Sequence, residues 1–547
     1  MLPAVVPQRR RRQPVRGSRR HALLGLFVAL GACDTPVPSS SFHDRLLRLG
    51  AMPCEAATDP TFVCGTIDVP TDHSQLGGPT QPLAFAGRSA LGASSLGVVL
   101  SIAGGPGYSG IDEVDDWTTT DPTIAQRFDL LTFDLRGVER SAKLDCPHAS
   151  SAWYTGGLRG STAPEQRALI ARAMAYAADC PTEAGIDASG LALYTTAQAA
   201  EDIESLRSAL AVDSMSIYGL SYGTQLAQTY ATAHPDRVRA VVLDGVIDLN
   251  GTERAYATSL QAAVDGIVDR TLAACAGDAA CAAEVGSDAG ASYDAIATAL
   301  DGAPQAIEFP LAGGGTRHRA LSRGDFDSVS ALAADNPGSR TRFLQALGAA
   351  HERGDFVPLR TLLDDLDAID PATELVEPSG FSDAVYYTFT ATDYGHPAGG
   401  AADYVSGATA ILATHPRTIT SYFGDLPMSI WPGAPAELLR PLPFASSAPV
   451  LLIDADADAA TPVVQGRAVL AAGRAAGLPI REVAVSGGHH VMASDNACVD
   501  AALAAFLFDP DAEVALADAT CVAPFVLPYA ATLHMRRRTH RRGHARD

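Results

Sequence analysis

Lysine is almost missing from this chain: Lys143 is the single one in 547 residues, so nearly all of the 40 basic side chains are arginine. That Ala- and Arg-rich composition reads as genomic base bias and carries no functional weight. Base is also scarce relative to acid, and the formal net charge is −22. Seven Arg and no acid fall in the first 32 residues, so the remaining body carries a charge of about −29. An acidic body excludes nucleic-acid binding through its surface. No CxxC pair and no histidine cluster accompanies the cysteines, which argues against a metal site. No GxGxxG follows a strand pattern, so dinucleotide binding is excluded, and neither an internal repeat nor a second long apolar run is present.

What is present is enough apolar material for a large core, 47% of the chain, and a length that suits a core domain with a sizeable insertion. The Arg-rich stretch Arg9 to Arg20 precedes the apolar run Ala22 to Ala32, too short for a permanent membrane anchor. Residues 1–33 are therefore expected to be a signal peptide. Its end, Leu30-Gly31-Ala32-Cys33, resembles the bacterial lipobox, with Cys33 the acylated residue, and Ser18-Arg19-Arg20 resembles a twin-arginine export signal. An exported, lipid-anchored or secreted protein follows, touching membrane only through that anchor. Of nine cysteines, eight remain once Cys33 is set aside, an even number suited to an oxidising compartment. Local spacing pairs Cys54 with Cys64, Cys146 with Cys180, Cys275 with Cys281 and Cys498 with Cys521.

Apolar runs at Leu96 to Ile102, Phe128 to Phe133, Ser214 to Tyr218, Val238 to Leu243 and Pro449 to Ile453 read as buried strands. Helical stretches such as Ala163 to Ala178 and Ala197 to Ala211 lie between them. Strands alternating with helices predict an α/β fold with a mostly parallel sheet covered on both faces. Residues 42–249 and 441–524 form that core in this reading. Residues 250–440, with helical periodicity at Tyr256 to Ala282, Arg340 to Ala350 and Phe356 to Leu366, read as an inserted helical cap. Residues 525–547 read as a basic, disordered tail.

The strongest chemical signal is Gly219-Leu220-Ser221-Tyr222-Gly223, directly after a strand and directly before a helix. A serine at such a sharp turn needs small neighbours and is presented at the carboxyl end of the sheet, where Ser221 can act as nucleophile. A base and an orienting carboxylate should follow in the order Ser, Asp, His. Asp454, Asp456 and Asp458 alternate just past the strand ending at Ile453, and Asp458 is preferred. Ser486-Gly487-Gly488-His489-His490 offers two histidines. His489 is preferred because it stands first after the small residues. An oxyanion needs two backbone donors: the N–H of Tyr222, and one from Ala103-Gly104-Gly105-Pro106-Gly107, with Gly105 first and Gly104 second.

These segments resemble the tripeptidyl and prolyl aminopeptidase family of α/β-hydrolases, in particular its exported, disulfide-bearing tripeptidyl branch, from about Cys54 to Cys521. The resemblance is carried by Gly104-Gly105-Pro106-Gly107-Tyr108-Ser109-Gly110, by Asp134-Leu135-Arg136-Gly137-Val138-Glu139-Arg140-Ser141, by Ala200-Glu201-Asp202-Ile203-Glu204-Ser205-Leu206-Arg207 and by Ser221-Tyr222-Gly223-Thr224. The family's acid precedes a Thr-Pro, which selects Asp458, and its histidine follows a small-residue turn, which selects His489. Cys498 and Cys521 fall where that branch has a paired cysteine. The chain departs from the family pattern at Ala103 (usually His or Asn), Glu139 (usually Gly) and Ala391 (usually Cys).

The resemblance implies a serine aminopeptidase acting on peptides with a free N-terminus through an acyl-enzyme; no metal or organic cofactor is implied, and a monomer is expected. Acids on the cap side bind the substrate ammonium in that family, and Asp393, Glu374 and Glu377 are candidates here. The same triad serves an esterase or lipase, since the fold does not decide the substrate. An inactive binding lipoprotein is the third reading.

Overall fold

The computed structural model describes residues 41–530, apart from 76, 116–121, 156, 376–380, 396–398, 416, 436–443 and 513–517. The leader with Cys33, Glu377, the 440/441 boundary and the tail beyond 530 lie outside the described residues. These described residues form a single compact unit.

Its centre is a ten-stranded sheet. In chain order the strands are β1 (Met52–Pro53), β2 (Val63–Pro70), β3 (Thr80–Arg88), β4 (Val98–Ile102), β5 (Asp129–Phe133), β6 (Met215–Leu220), β7 (Val238–Asp244), β10 (Val450–Ala455), β11 (Ile480–Ser486) and β12 (Ala519–Val522). β8 (Gln305–Pro310) and β9 (Thr316–Leu321) form a separate hairpin. The spatial order is β1-β2-β3-β5-β4-β6-β7-β10-β11-β12, antiparallel up to the β3–β5 pair and parallel from β5 to β12. The five apolar runs expected as strands are β4, β5, β6, β7 and β10. All residues of β4 and β10 are buried, the signature of strands covered on both faces.

The covering helices carry their own start and stop signals. Helix Ala163–Ala184 begins in a capping box of Thr162 with Glu165 and ends on Gly185 at φ 72°. Helix Thr196–Ala209 is capped by the Thr195 side chain. Each expected disulfide is formed: Cys54–Cys64, Cys146–Cys180, Cys275–Cys281 and Cys498–Cys521.

Two expectations are corrected. The insertion is not purely helical, because Gln305–Pro310 and Thr316–Leu321 pair as a hairpin around a Gly-rich turn at Gly313-Gly314-Gly315. Nor is it a single packing unit. Its first part, from Val264 to Leu363, closes around Tyr293, Phe326, Phe343 and Leu347, whereas Tyr387, Phe389, Tyr404, Tyr422 and Trp431 join the main core beside Trp153 and Tyr176.

The second correction concerns the tail, which does not begin at 525. Arg340 donates to Phe525 O at 3.0 Å, Leu527 N donates to the Thr341 hydroxyl at 2.9 Å, and the Tyr529 hydroxyl donates to Glu284 at 2.7 Å. Phe525 and Tyr529 are apolar surface in a stretch otherwise read by its charge, and that surface is what docks the strap onto the cap. Tyr529→Ala is expected to destabilise the protein by about 3 kcal/mol. Urea unfolding checks this as a lower midpoint with an unchanged slope.

Candidate active site

The site is built at the carboxyl ends of β6, β7, β10 and β11. Ser221 joins β6 to helix Tyr222–Ala233 at φ 56°, ψ −121°, a backbone state that costs a non-glycine residue on the order of 1–3 kcal/mol. It persists because its surroundings over-determine it. Ser221 N donates to Asp244 O at 2.8 Å, and Thr224 N donates to Ser221 O at 2.8 Å. A Cβ on Gly219 would lie 2.3 Å from Gly223 O, and one on Gly223 would lie 2.3 Å from Ile102 O, so both flanking positions are closed to any side chain.

The three alternating acids have three different environments. Asp454 is buried under helix Val463–Ala475, where burial pushes its carboxyl well up. Asp456 is exposed and accepts from Gly487 N at 2.8 Å. Asp458 is buried and accepts from the N–H groups of Ala460 and Thr461 and from the Thr461 hydroxyl, each at 2.7 Å. Thr461 thus explains physically why the acid is followed by Thr-Pro.

The histidine expectation is corrected. His490, not His489, faces Asp458: its Nδ1 lies 2.9 and 3.0 Å from the two carboxylate oxygens. His489 Nδ1 instead lies 3.0 Å from His490 O, and its Nε2 is 3.6 Å from Asp495. The reason is register. Ala457 N donates to Gly488 O at 3.0 Å, which uses the second glycine for backbone pairing and brings residue 490 to the carboxylate at 458. Burial pushes the Asp458 carboxyl up, but the charge and hydrogen bond of His490, together with Thr461, outweigh it and hold the carboxyl below its usual range. Burial likewise pulls His490 down, and Asp458 more than reverses this, leaving the imidazole more basic than usual. Such a pair fixes the tautomer, with Nδ1 towards the acid and Nε2 free to take a proton. A methyl group on Gly245, the residue after Asp244, would lie 3.0 Å from His490 Cε1. The imidazole therefore packs beside the strand end that pins Ser221.

The glycine loop after β4 lies on the other side. A Cβ on Gly104 would come 3.0 Å from Ser221 Cβ and 3.5 Å from Ser221 Oγ, whereas the Cβ position of Gly105, at φ 107°, is occupied by Gly107 N and Phe381. Tyr222 opens the helix, with its hydroxyl 2.7 Å from Thr196 Oγ1. The loop is held by the segment from Asp134. Ser109 donates to Asp134 at 2.5 Å and Ser141 donates to Asp134 O at 2.8 Å, while buried Arg136 holds buried Asp202 in a two-pronged pair at 2.7 Å. Asp134 is therefore scaffold for the loop, whereas Arg136 and Asp202 tie the motif to helix Thr196–Ala209 and to the end of β2. Glu139 sits at φ 35°, which accounts for glycine at that place in the family pattern, and its carboxylate pairs with Lys143 at 2.9 Å.

The ammonium candidates fare differently. Asp393 is buried and accepts from Thr196 N, the Thr196 hydroxyl and Gln225 Nε2, so its carboxylate is engaged with the core. Glu374 pairs with Arg317 at 2.8 Å on the surface. Two further acids, not singled out in the sequence, are buried near residues that reach the loops of the site. Glu253 and Asp425 are both buried; burial and then the charge of Asp425 push Glu253 up to about 8, and burial pushes Asp425 up to about 7. Glu253 Oε1 has no hydrogen-bond partner among the described residues. One turn on from Glu253, the Tyr256 hydroxyl donates to Ala460 O at 2.9 Å, beside Asp458. The Tyr386 hydroxyl donates to Asp425 at 3.0 Å, and the Tyr386 ring packs 5.9 Å from Phe381, which abuts Gly105. The two tyrosines thus tie the acid pair to both loops of the site. In the sequence Glu253 looks like an ordinary first-turn acid after Thr252, and no local pattern marks Asp425.

Residues 97–281 match the family model described as alpha/beta hydrolase fold, and residues 421–521 match the one described as TAP-like protein. Serine protease Hip1 of Mycobacterium tuberculosis is 32% identical over 194 residues, 34% of this chain and 36% of that protein. The tripeptidyl aminopeptidase of Streptomyces lividans is 31% identical over 205 residues, 36% of this chain and 37% of that protein. Carboxylesterase B of Mycobacterium tuberculosis is 29% identical over 461 residues, 82% of this chain and 84% of that protein. The match thus spans little more than a third of the first two relatives.

The geometry predicts that His490→Ala lowers turnover of an activated acyl ester by about 10³-fold or more, while His489→Ala stays within about threefold. Because Asp458 makes His490 more basic, the wild-type rate should rise with pH through an apparent pKa above the ordinary imidazole value of 6.5. Steady-state rates from pH 5 to 9 check both.

Proposed function

We propose that the chain is a serine aminopeptidase that cleaves peptides from their free N-terminus, a reading supported by the match of residues 97–281 to the alpha/beta hydrolase fold model and of residues 421–521 to the TAP-like one. The observation that carries the reading is the pairing of buried Asp458 with half-buried His490, set beside a strained serine elbow at the adjoining strand ends. In this mechanism Ser221 attacks the scissile carbonyl and His490 takes its proton. Asp458 holds the imidazole and stabilises its charged form. The N–H groups of Tyr222 and of the Gly104-Gly105 loop receive the oxyanion, helped by the N-terminal end of helix Tyr222–Ala233. His490 returns the proton to the leaving amine, and water then releases the acyl group from Ser221 by the same route.

An exopeptidase must also hold a charged amine. Glu253 and Asp425 supply a buried acid pair whose proton affinity is raised by burial, and an arriving ammonium would lower that affinity and make a charge-assisted contact. Four disulfides support an exported protein. Acylation at Cys33 belongs to the same reading of the leader.

The long match to carboxylesterase B favours esterase activity as the second reading. Steady-state cleavage of aminoacyl and tripeptidyl anilides, free and N-blocked, separates the two. An aminopeptidase releases product from free peptides only. Turnover of esters with silence on every amide contradicts it. Glu253→Gln and Asp425→Asn should each raise KM for free-amine peptides by about tenfold or more and leave N-blocked esters unchanged. For the wild type, KM for free amines should fall as pH rises through the Asp425 value of about 7 and climb again as the peptide amine, with pKa about 7.7–8.0, loses its proton.

A further inference from the structure

Asp244, the last residue of β7, is not used by the mechanism above, yet it touches both halves of the site. Its main-chain oxygen accepts from Ser221 N at 2.8 Å. Its carboxylate is buried and accepts from Met492 N at 3.1 Å, from Ala493 N at 3.0 Å and from the Tyr218 hydroxyl at 3.1 Å. Met492 and Ala493 follow Val491, the residue after His490. Val491 is β-branched and stands at φ 57°, a state that costs such a side chain on the order of 1–3 kcal/mol. Successive N–H groups after a left-handed residue form a concavity that attracts an anion, and here the anion is the Asp244 carboxylate. The carboxylate thus offsets the strain of the turn that carries His490. Gly245 follows and leaves room for the imidazole.

We propose that Asp244 is a positioning residue that sets the distance between base and nucleophile, holding Ser221 through its main chain and the His490 turn through its side chain. The inference rests on the reading of Ser221 and His490 as nucleophile and base. Neutralising Asp244 leaves the substrate contacts untouched but lets the turn relax, so the loss should appear in kcat and not in KM. Its charge also acts on His490. The charged groups around that imidazole are Asp458, Asp335 and Asp244, and the titratable groups around Asp244 are His490, the neutral Tyr218 hydroxyl and, on the neighbouring strand β10, Asp454. Removing one negative neighbour makes His490 less basic, so the acidic limb of kcat/KM should move to lower pH.

The test uses the full chain with Asp244→Asn, and with Tyr218→Phe as a milder variant that removes one of the carboxylate's hydrogen bonds. Rates on an activated acyl ester are normalised to active sites counted by titration with a fluorophosphonate. Asp244→Asn should lower kcat per active site at least tenfold with KM within twofold and shift the acidic limb downward. Tyr218→Phe should lower kcat two- to fivefold with KM unchanged. An unaltered kcat per active site with an unaltered limb, whatever the loss of folded protein, overturns the proposal and leaves Asp244 a structural residue. A Ser221→Ala or His490→Ala protein that still turns over the ester would instead overturn the reading on which the proposal rests.

Discussion

The backbone of Ser221 is the constraint on which the rest of the site depends. A serine held at φ 56° is stable only where its neighbours leave it no alternative, and here β4, β6, β7 and the following helix converge on it. Ile102 O blocks any side chain at 223, Gly223 O blocks one at 219, and Asp244 O fixes the serine N–H. Three parallel strands must therefore end at one level before the elbow can form. The parallel sheet supplies that level, and the same strand ends leave their loops free to carry chemistry.

A second constraint couples the acid loop to the insertion. Buried Arg340 donates to Ala457 O at 2.7 Å and to Phe525 O at 3.0 Å, with its guanidinium 4.6 Å from the centre of the Phe525 ring. The Arg270 guanidinium lies 4.2 Å from the centre of the same ring, and Arg270 donates to Asp456 O at 3.2 Å. Two arginines of the insertion and one aromatic of the C-terminal strap thus frame the residues that precede Asp458. Burial pulls Arg340 down to about 10, still charged at neutral pH, so its contacts stay charge-assisted.

The parallel strands and the elbow were legible in the sequence because each depends on local information: an apolar run, a turn, a pair of glycines. Asp458 was legible because the acid and its Thr461 partner are three residues apart. The choice between His489 and His490 was not, since it depends on how Gly488 pairs with Ala457, a contact between segments 31 residues apart in the chain. Glu253 and Asp425 escaped notice for the same reason: what distinguishes them is burial against distant tyrosines. The strap at Phe525 to Tyr529 was hidden by the charge of the residues after it, and the β8–β9 hairpin by the Ala-rich helices around it.

In the proposed mechanism Ser221, set by the elbow and served by His490 and Asp458, forms the covalent acyl intermediate. Mass-spectrometric mapping of the adduct left by a free-amine peptidyl phosphonate on the full chain tests it most directly. A single adduct is expected, on the peptide that contains Ser221, formed by the wild type and not by Asp458→Ala. An adduct on another residue, or equal labelling of the two proteins, would contradict it.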